Sequence, residues 1–261
     1  MKIYIVVLFL ILYLYLLTQK EGFTMEKDEP FKGKVYRNEK IYDPFYAYNY
    51  DDIMLTVPYL IEMVQKIVPY FHVSSKTLCL GSKTGHLVQL LSSTVRAVGV
   101  DSSAMVDLSR YKYPDLEFVK GKVEPELFPR NSFGQVIVPL WNIHTIPNLN
   151  DLFYTLKEWT IHSGYLFVSF IDIKTFPVYK LVNQNPSEYF KENYEYSIEK
   201  VNNQLVETIQ DRTLKTRKNI QDLYPHSETT LIYAARNTGF SHVMTIPFEN
   251  IPMSICVFQH K

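Results

Sequence analysis

Cysteine is nearly missing from this chain: of 261 residues only Cys79 and Cys256 carry a thiol. Each falls inside an apolar, strand-like run, where a buried free thiol is the ordinary reading, so a disulfide framework and a zinc site are excluded. Net charge is missing as well. The 27 Lys+Arg balance the 27 Asp+Glu, and no bulk field draws such a protein to nucleic acid or acidic lipid. No Asn-x-Ser/Thr acceptor with a permitted middle residue occurs, which is consistent with a domain that does not enter the secretory lumen. Two nucleotide signatures are absent too. Gly81-Ser82-Lys83-Thr84-Gly85 lacks the G-x-G-x-x-G spacing of a nicotinamide-binding fold, and Lys83-Thr84 lacks the glycine and spacer that a P-loop places before its lysine.

Apolar residues are plentiful, at 46% of the chain, enough for one sizeable α/β core with an appendage. The longest apolar run, residues 3–17 (IYIVVLFLILYLYLL), carries no charge and is followed by no small-x-small cleavage site, which predicts a retained membrane anchor over 1–18. Lys20, Lys27, Lys32, Lys34 and Arg37 outnumber Lys2, so the positive-inside rule puts the remaining chain on the cytoplasmic side of a single-pass protein. Residues 19–40, polar and without period, read as a linker, and 41–261 as the folded domain.

Within that domain the tyrosines at 42, 46 and 50 recur every four residues, a helical stripe that either packs on the core or lids a pocket. A buried helical face over 60–68 then leads to residues 77–101, TLCLGSKTGHLVQLLSSTVRAVGVD, which read as strand, glycine turn, helix, strand and acid. Ser102 caps the next helix; strands follow at 116–121, 135–140 and 165–170, with a helix from about 150 to 159. Alternation of strand and helix implies a parallel sheet. Residues 172–225 form an insertion containing a hairpin about Asn202 and Asn203, while the basic run 212–218 reads as a solvated face. A last helix capped by Ser227 and ended by Gly239 precedes two strands, 241–247 and 253–259, paired as an antiparallel hairpin.

The order of these elements, with LCLGSKTGH at 78–86, VGVDSSAM at 98–105, FPRNSFGQVIV at 128–138 and the terminal Gly239-Phe240, resembles the class I S-adenosylmethionine-dependent methyltransferase domain, in the branch that methylates small molecules. The leading YDPFYAYNYDDIM also resembles methyltransferase-like proteins of large DNA viruses. The resemblance implies a Rossmann-like sandwich with a mostly parallel seven-stranded sheet and a C-terminal antiparallel hairpin. It implies S-adenosylmethionine as cofactor, with Gly81, Ser82, Lys83 and Gly85 at its methionine moiety and Asp101 and Ser102 at its ribose. Met105 and Val123 would lie near the adenine, and Tyr50, Leu140 and Trp141 would line the remaining wall. His144, facing substrate, and Tyr46 are the catalytic candidates.

Four positions depart from that pattern. Cys79 stands where the first strand usually carries an acid, Lys83 replaces the middle glycine of the turn, Lys122 an aspartate for the adenine amino group, and Gly134 the acid before the fourth strand. Lys83 matters most, because its side chain costs about 1 kcal/mol if the left-handed backbone of a glycine is kept, and its ammonium would lie near a sulfonium cation. Two readings follow. One is a membrane-anchored methyltransferase acting on a small-molecule acceptor, the other a catalytically inactive relative serving as a structural or interaction module at a membrane, with a protein partner. Neither expects nucleic acid or a metal.

Overall fold

The computed structural model describes residues 33–261. Its centre is a seven-stranded sheet in the order β4 (Glu117–Lys120), β3 (Ala97–Asp101), β2 (Thr77–Leu80), β5 (Phe133–Val138), β6 (Thr160–Ile171), β11 (Met253–His260) and β10 (Phe240–Pro247). The first five pair in parallel; β11 runs antiparallel to β6, and β10 antiparallel to β11. Every residue of β2, β3 and β5 is buried, as expected of strands covered on both faces. The two layers are separate cores. One face packs on helices α1 (Pro44–Ile53), α2 (Val57–Ile67), α3 (His86–Leu91) and α4 (Ser103–Lys112); the other packs on α5 (Leu149–Trp159) and α7 (Glu228–Asn237).

Local chemistry sets the ends of these helices. Asp43 caps α1 by accepting from the Tyr46 N–H at 2.9 Å, with Pro44 at the first helical position. Asn148 caps α5 through the amides of Asn150 and Asp151. Ser227 and Thr230 form a reciprocal capping pair on α7.

The stretch expected to be an insertion contributes a second sheet of four strands, ordered β1 (Val35–Arg37), β9 (Thr216–Asp222), β8 (Gln204–Asp211) and β7 (Tyr194–Val201). A short helix, α6 (Glu188–Asn193), precedes β7. The β7–β8 hairpin turns at Asn202, which takes φ +53°, a conformation asparagine tolerates. Two strands of this sheet carry no sequence signal: β1 lies in the stretch read as linker and pairs in parallel with β9, and β9 begins within the basic run. There the sequence reading needs correction. Arg217 is wholly buried rather than solvated.

A second correction concerns the membrane. The apolar run 3–17 lies outside the described residues, and among the described residues no helix is long and apolar enough to cross a membrane. The single-pass anchor, the membrane partnership and the cytoplasmic-side placement are therefore withdrawn from the reading of this protein.

Candidate functional site

The C-terminal ends of β2, β3 and β5 meet at the turn 81–85, with α1 lying across them. Three residues of the turn sit at positive φ, Gly81 at +70°, Lys83 at +50° and Gly85 at +88°. Lys83 keeps the left-handed backbone despite its Cβ, held from both sides: its N–H donates to Asp101 Oδ2 at 2.7 Å and its carbonyl accepts from Ser109 Oγ at 2.8 Å. Its side chain turns inward. Nζ lies 3.9 Å from Asp101 Oδ2 and 3.9 Å from the centroid of the Tyr42 ring, with only 19% of the side chain exposed. Burial works to lower this ammonium's pKa, but Asp101 and Tyr42 outweigh it and hold it above the usual lysine value.

Asp101 is thereby committed. Its Oδ1 accepts the Ser102 N–H at 2.7 Å and its Oδ2 faces the backbone and side chain of Lys83. Ser102 stands at the N-cap of α4, yet its hydroxyl makes no capping bond, and it, Ser82 Oγ and Asn49 Oδ1 are buried polar atoms with no hydrogen-bond partner. The open side of Gly81 is closed by Asn142, whose amide nitrogen donates to the carbonyls of Gly81 at 3.0 Å and Leu80 at 3.3 Å. A Cβ on Gly81 would come within 2.3 Å of that nitrogen.

What remains between the turn and α1 is a cavity of ≈ 20 Å³, and it brings together Tyr50, Gly81, Ser82, Lys83, Leu140 and Trp141. Met105 is buried in the α1-side core, whereas Val123 packs on the opposite core; neither lines this cavity. Tyr50 is buried, and burial first, then Tyr42 and Asp101, pushes its phenol well above its ordinary pKa.

The two catalytic candidates lie elsewhere. His144 is fully buried, its Nδ1 donating to the Tyr224 carbonyl at 3.0 Å and its Nε2 accepting the Ile171 N–H at 3.1 Å. Burial lowers its pKa to about 4. Both ring nitrogens thus serve the backbone, tying the exit of the second sheet to the end of β6. Tyr46 donates its hydroxyl to Glu207 Oε1 at 2.7 Å, the same oxygen that accepts from Tyr196 at 2.7 Å. This too joins α1 to the second sheet.

One cluster at the cleft has no counterpart in the sequence reading. Asp51, near the end of α1, accepts from Thr84 Oγ1 at 2.6 Å and Lys112 Nζ at 2.6 Å, and lies 3.1 Å from His86 Nε2. Burial opposes ionisation of Asp51, but His86 and Lys112 together draw its pKa down to about 2. The acid at the foot of the tyrosine stripe was the available signal. What the sequence could not say is that Thr84, His86 and Lys112 converge on it.

No known protein family and no curated protein sequence matches the chain. Solved structures do. The CcbJ methyltransferase from Streptomyces caelestis superposes with TM-score 0.65 at 16% identity, over 85% of this chain and 99% of that one. The fold is that of a class I methyltransferase. A sugar N-methyltransferase, KedS8 from Streptoalloteichus sp., gives 0.58 at 15% identity over 85% and 94% of the two chains. A SAM-bound amino pentose methyltransferase, CalS10 from Micromonospora echinaspora, gives 0.58 at 11% identity over 83% and 97%. These are bacterial proteins, and nothing in the comparisons supports the viral source suggested by the leading helix.

S-adenosylmethionine, which CalS10 carries, does not fit this cleft as it stands. The carboxylate for its ribose holds Lys83, and the glycine for its methionine moiety is covered by Asn142.

Proposed function

We propose that this protein is a methyltransferase-fold chain whose cofactor cleft is latched shut by its own Lys83, and that in this form it acts as a folded interaction module and transfers no methyl group. The observation that carries the reading is the inward ammonium of Lys83, shared between Asp101 and the Tyr42 ring. A cofactor bearing a sulfonium would bring a second positive charge into the space the ammonium fills, and like charges at short range in a half-dry cleft repel by a few kcal/mol. The same ammonium occupies the carboxylate that would otherwise accept ribose hydroxyls. Lys83 is stable where it is because the acid and the aromatic face replace the water it lost.

The test is calorimetric titration of S-adenosylmethionine and S-adenosylhomocysteine into the full chain, beside a Lys83→Gly variant. The natural chain is expected to give no heat at millimolar ligand, and the variant to bind at least tenfold more tightly than the natural chain. Micromolar binding by the natural chain would sink the latch.

A second reading, a methyltransferase acting on a small-molecule acceptor, is favoured by one observation. Gly81 and Gly85 keep positive φ and Asp101 ends β3, so the backbone of the turn retains the shape that close approach of a cofactor requires. Under that reading the latch opens when ligand arrives, and titration yields saturable binding followed by consumption of S-adenosylmethionine once an acceptor is supplied.

A further inference from the structure

The far edge of the seven-stranded sheet gathers three metal-ligand side chains from three elements. Glu228 comes from the first turn of α7, His242 from the edge strand β10, and Cys256 from β11. One donor atom from each lies within 4.8 Å of the other two. Strand alternation alone would not bring His242 here, because residues two apart share a face and Val243, not His242, would join Thr245. The ladder shifts instead. His242 pairs with Phe258, Met244 with Val257 and Thr245 with Cys256, leaving Val243 as the extra residue. This bulge re-aims His242 onto the face that Thr245 and Cys256 share, where its ring packs edge-on to Phe258 at 5.7 Å.

The Thr245 hydroxyl stands in the middle, 2.5 Å from Glu228 Oε1, 2.9 Å from His242 Nε2 and 3.8 Å from Cys256 Sγ. The hydroxyl donates to Glu228 and has two lone pairs to accept from the His242 Nε2–H and the Cys256 S–H, so one oxygen draws the three side chains together.

We propose that Glu228, His242 and Cys256 bind a zinc-class divalent ion, with water or the Thr245 hydroxyl as fourth ligand. One carboxylate oxygen, one imidazole nitrogen and one sulfur suit a tetrahedral borderline ion and disfavour calcium or magnesium, which prefer oxygen alone. His242 is exposed and gives the ion a path in, while Cys256 is buried and anchors the site. On binding, the Cys256 S–H bond is lost, its proton passes to solvent, and the thiolate sulfur bonds the metal. The charge of the ion favours the thiolate. The scarcity of cysteine led to the expectation of no zinc site, but one cysteine suffices when the fold supplies the other donors.

The experiment is titration of cobalt(II), followed by displacement with zinc, into the full chain. The expected result is a thiolate-to-cobalt charge-transfer band saturating at one ion per chain, abolished in Cys256→Ser, with affinity at least tenfold weaker in His242→Ala. Zinc should raise the melting temperature of the natural chain and leave that of His242→Ala unmoved. Because His242 is exposed, that variant folds whatever becomes of Cys256→Ser. Absence of a band at millimolar cobalt, or an identical band and affinity in His242→Ala, would overturn the assignment.

Discussion

Two cations near the N-terminal end of helix α1, Arg217 and Lys83, are held very differently. Arg217 has no exposed surface and engages all three guanidinium nitrogens: Nη1 donates to Asp43 at 2.6 Å, Nη2 to the Ile41 carbonyl at 2.9 Å and Nε to Asn219 at 2.9 Å, with the Tyr36 ring 3.9 Å from its Cζ. Lys83 keeps one loose ionic contact at 3.9 Å and one aromatic face, on a backbone that pays a left-handed penalty. The difference follows from the groups. A planar fork with five donors can satisfy itself in a dry junction, whereas a flexible ammonium near solvent exchanges partners readily. Arg217 therefore fastens the second sheet to the domain, and Lys83 closes a cleft.

The sharpest way to break this comparison is to remove Arg217. Arg217→Met leaves Asp43 and Asn219 facing a buried space without their donor, and a loss of about 3–5 kcal/mol is expected from urea unfolding. A loss under about 1 kcal/mol would mean that the second sheet is held by its apolar contacts alone.

The same junction should show a pH dependence of its own. His144 has a folded pKa near 4 against an ordinary 6.5, so its contribution is present above pH 6.5 and lost as pH falls towards 4, by about 3 kcal/mol in total. His144→Gln should flatten that part of the stability curve. An unchanged slope would show that the ring is not the buried neutral group described.

Glu207 bends the curve the other way. Burial above all raises its pKa, opposed by hydrogen bonds from Tyr46, Tyr196 and Asn219 and by the charge of Arg217. A raised acid contributes stability that is full below the ordinary carboxylate pKa of 4.5 and lost as pH rises through the raised value. Glu207→Gln should remove this loss and so steepen the net rise of stability between pH 4 and 6.5. A slope identical to that of the natural chain would place Glu207's titration outside that range.

Lys83→Gly should change stability least. Relief of the left-handed backbone, about 1 kcal/mol, is offset by the lost contact with Asp101 and the added freedom of glycine in the unfolded chain. A net shift within about 1 kcal/mol, together with newly gained cofactor binding, would mark Lys83 as a latch. A loss as large as that of Arg217→Met would mark it as a second structural fastening.

The middle of the central sheet was legible because β2, β3 and β5 are apolar runs bounded by a glycine, a capping residue or an acid, and that pattern is local. β1 and β9 were not. Each is polar on much of its length and takes its place through pairing, β1 with β9 across some 180 residues and β9 also with β8. Arg217 lay in a run of like charges whose ordinary reading is a wet surface, and nothing local distinguishes it from Lys215 or Lys218. Gly81, Lys83 and Asp101 were legible as a site, since a turn with a lysine between two glycines stands out. The direction of the Lys83 side chain was not, nor was the closure of Gly81 by Asn142, some 60 residues away.

By itself, then, the sequence determined the order of strands and helices, the place of the glycine turn and the substitution within it, all matters of spacing along the chain. Tertiary structure alone decided that Lys83 turns inward onto Asp101 and Tyr42, that His144 and Tyr46 are committed to holding two sheets together, and that a bulge brings His242 beside Cys256. These depend on which distant groups meet out of water, where a charge or polar atom must take whatever partner the fold supplies.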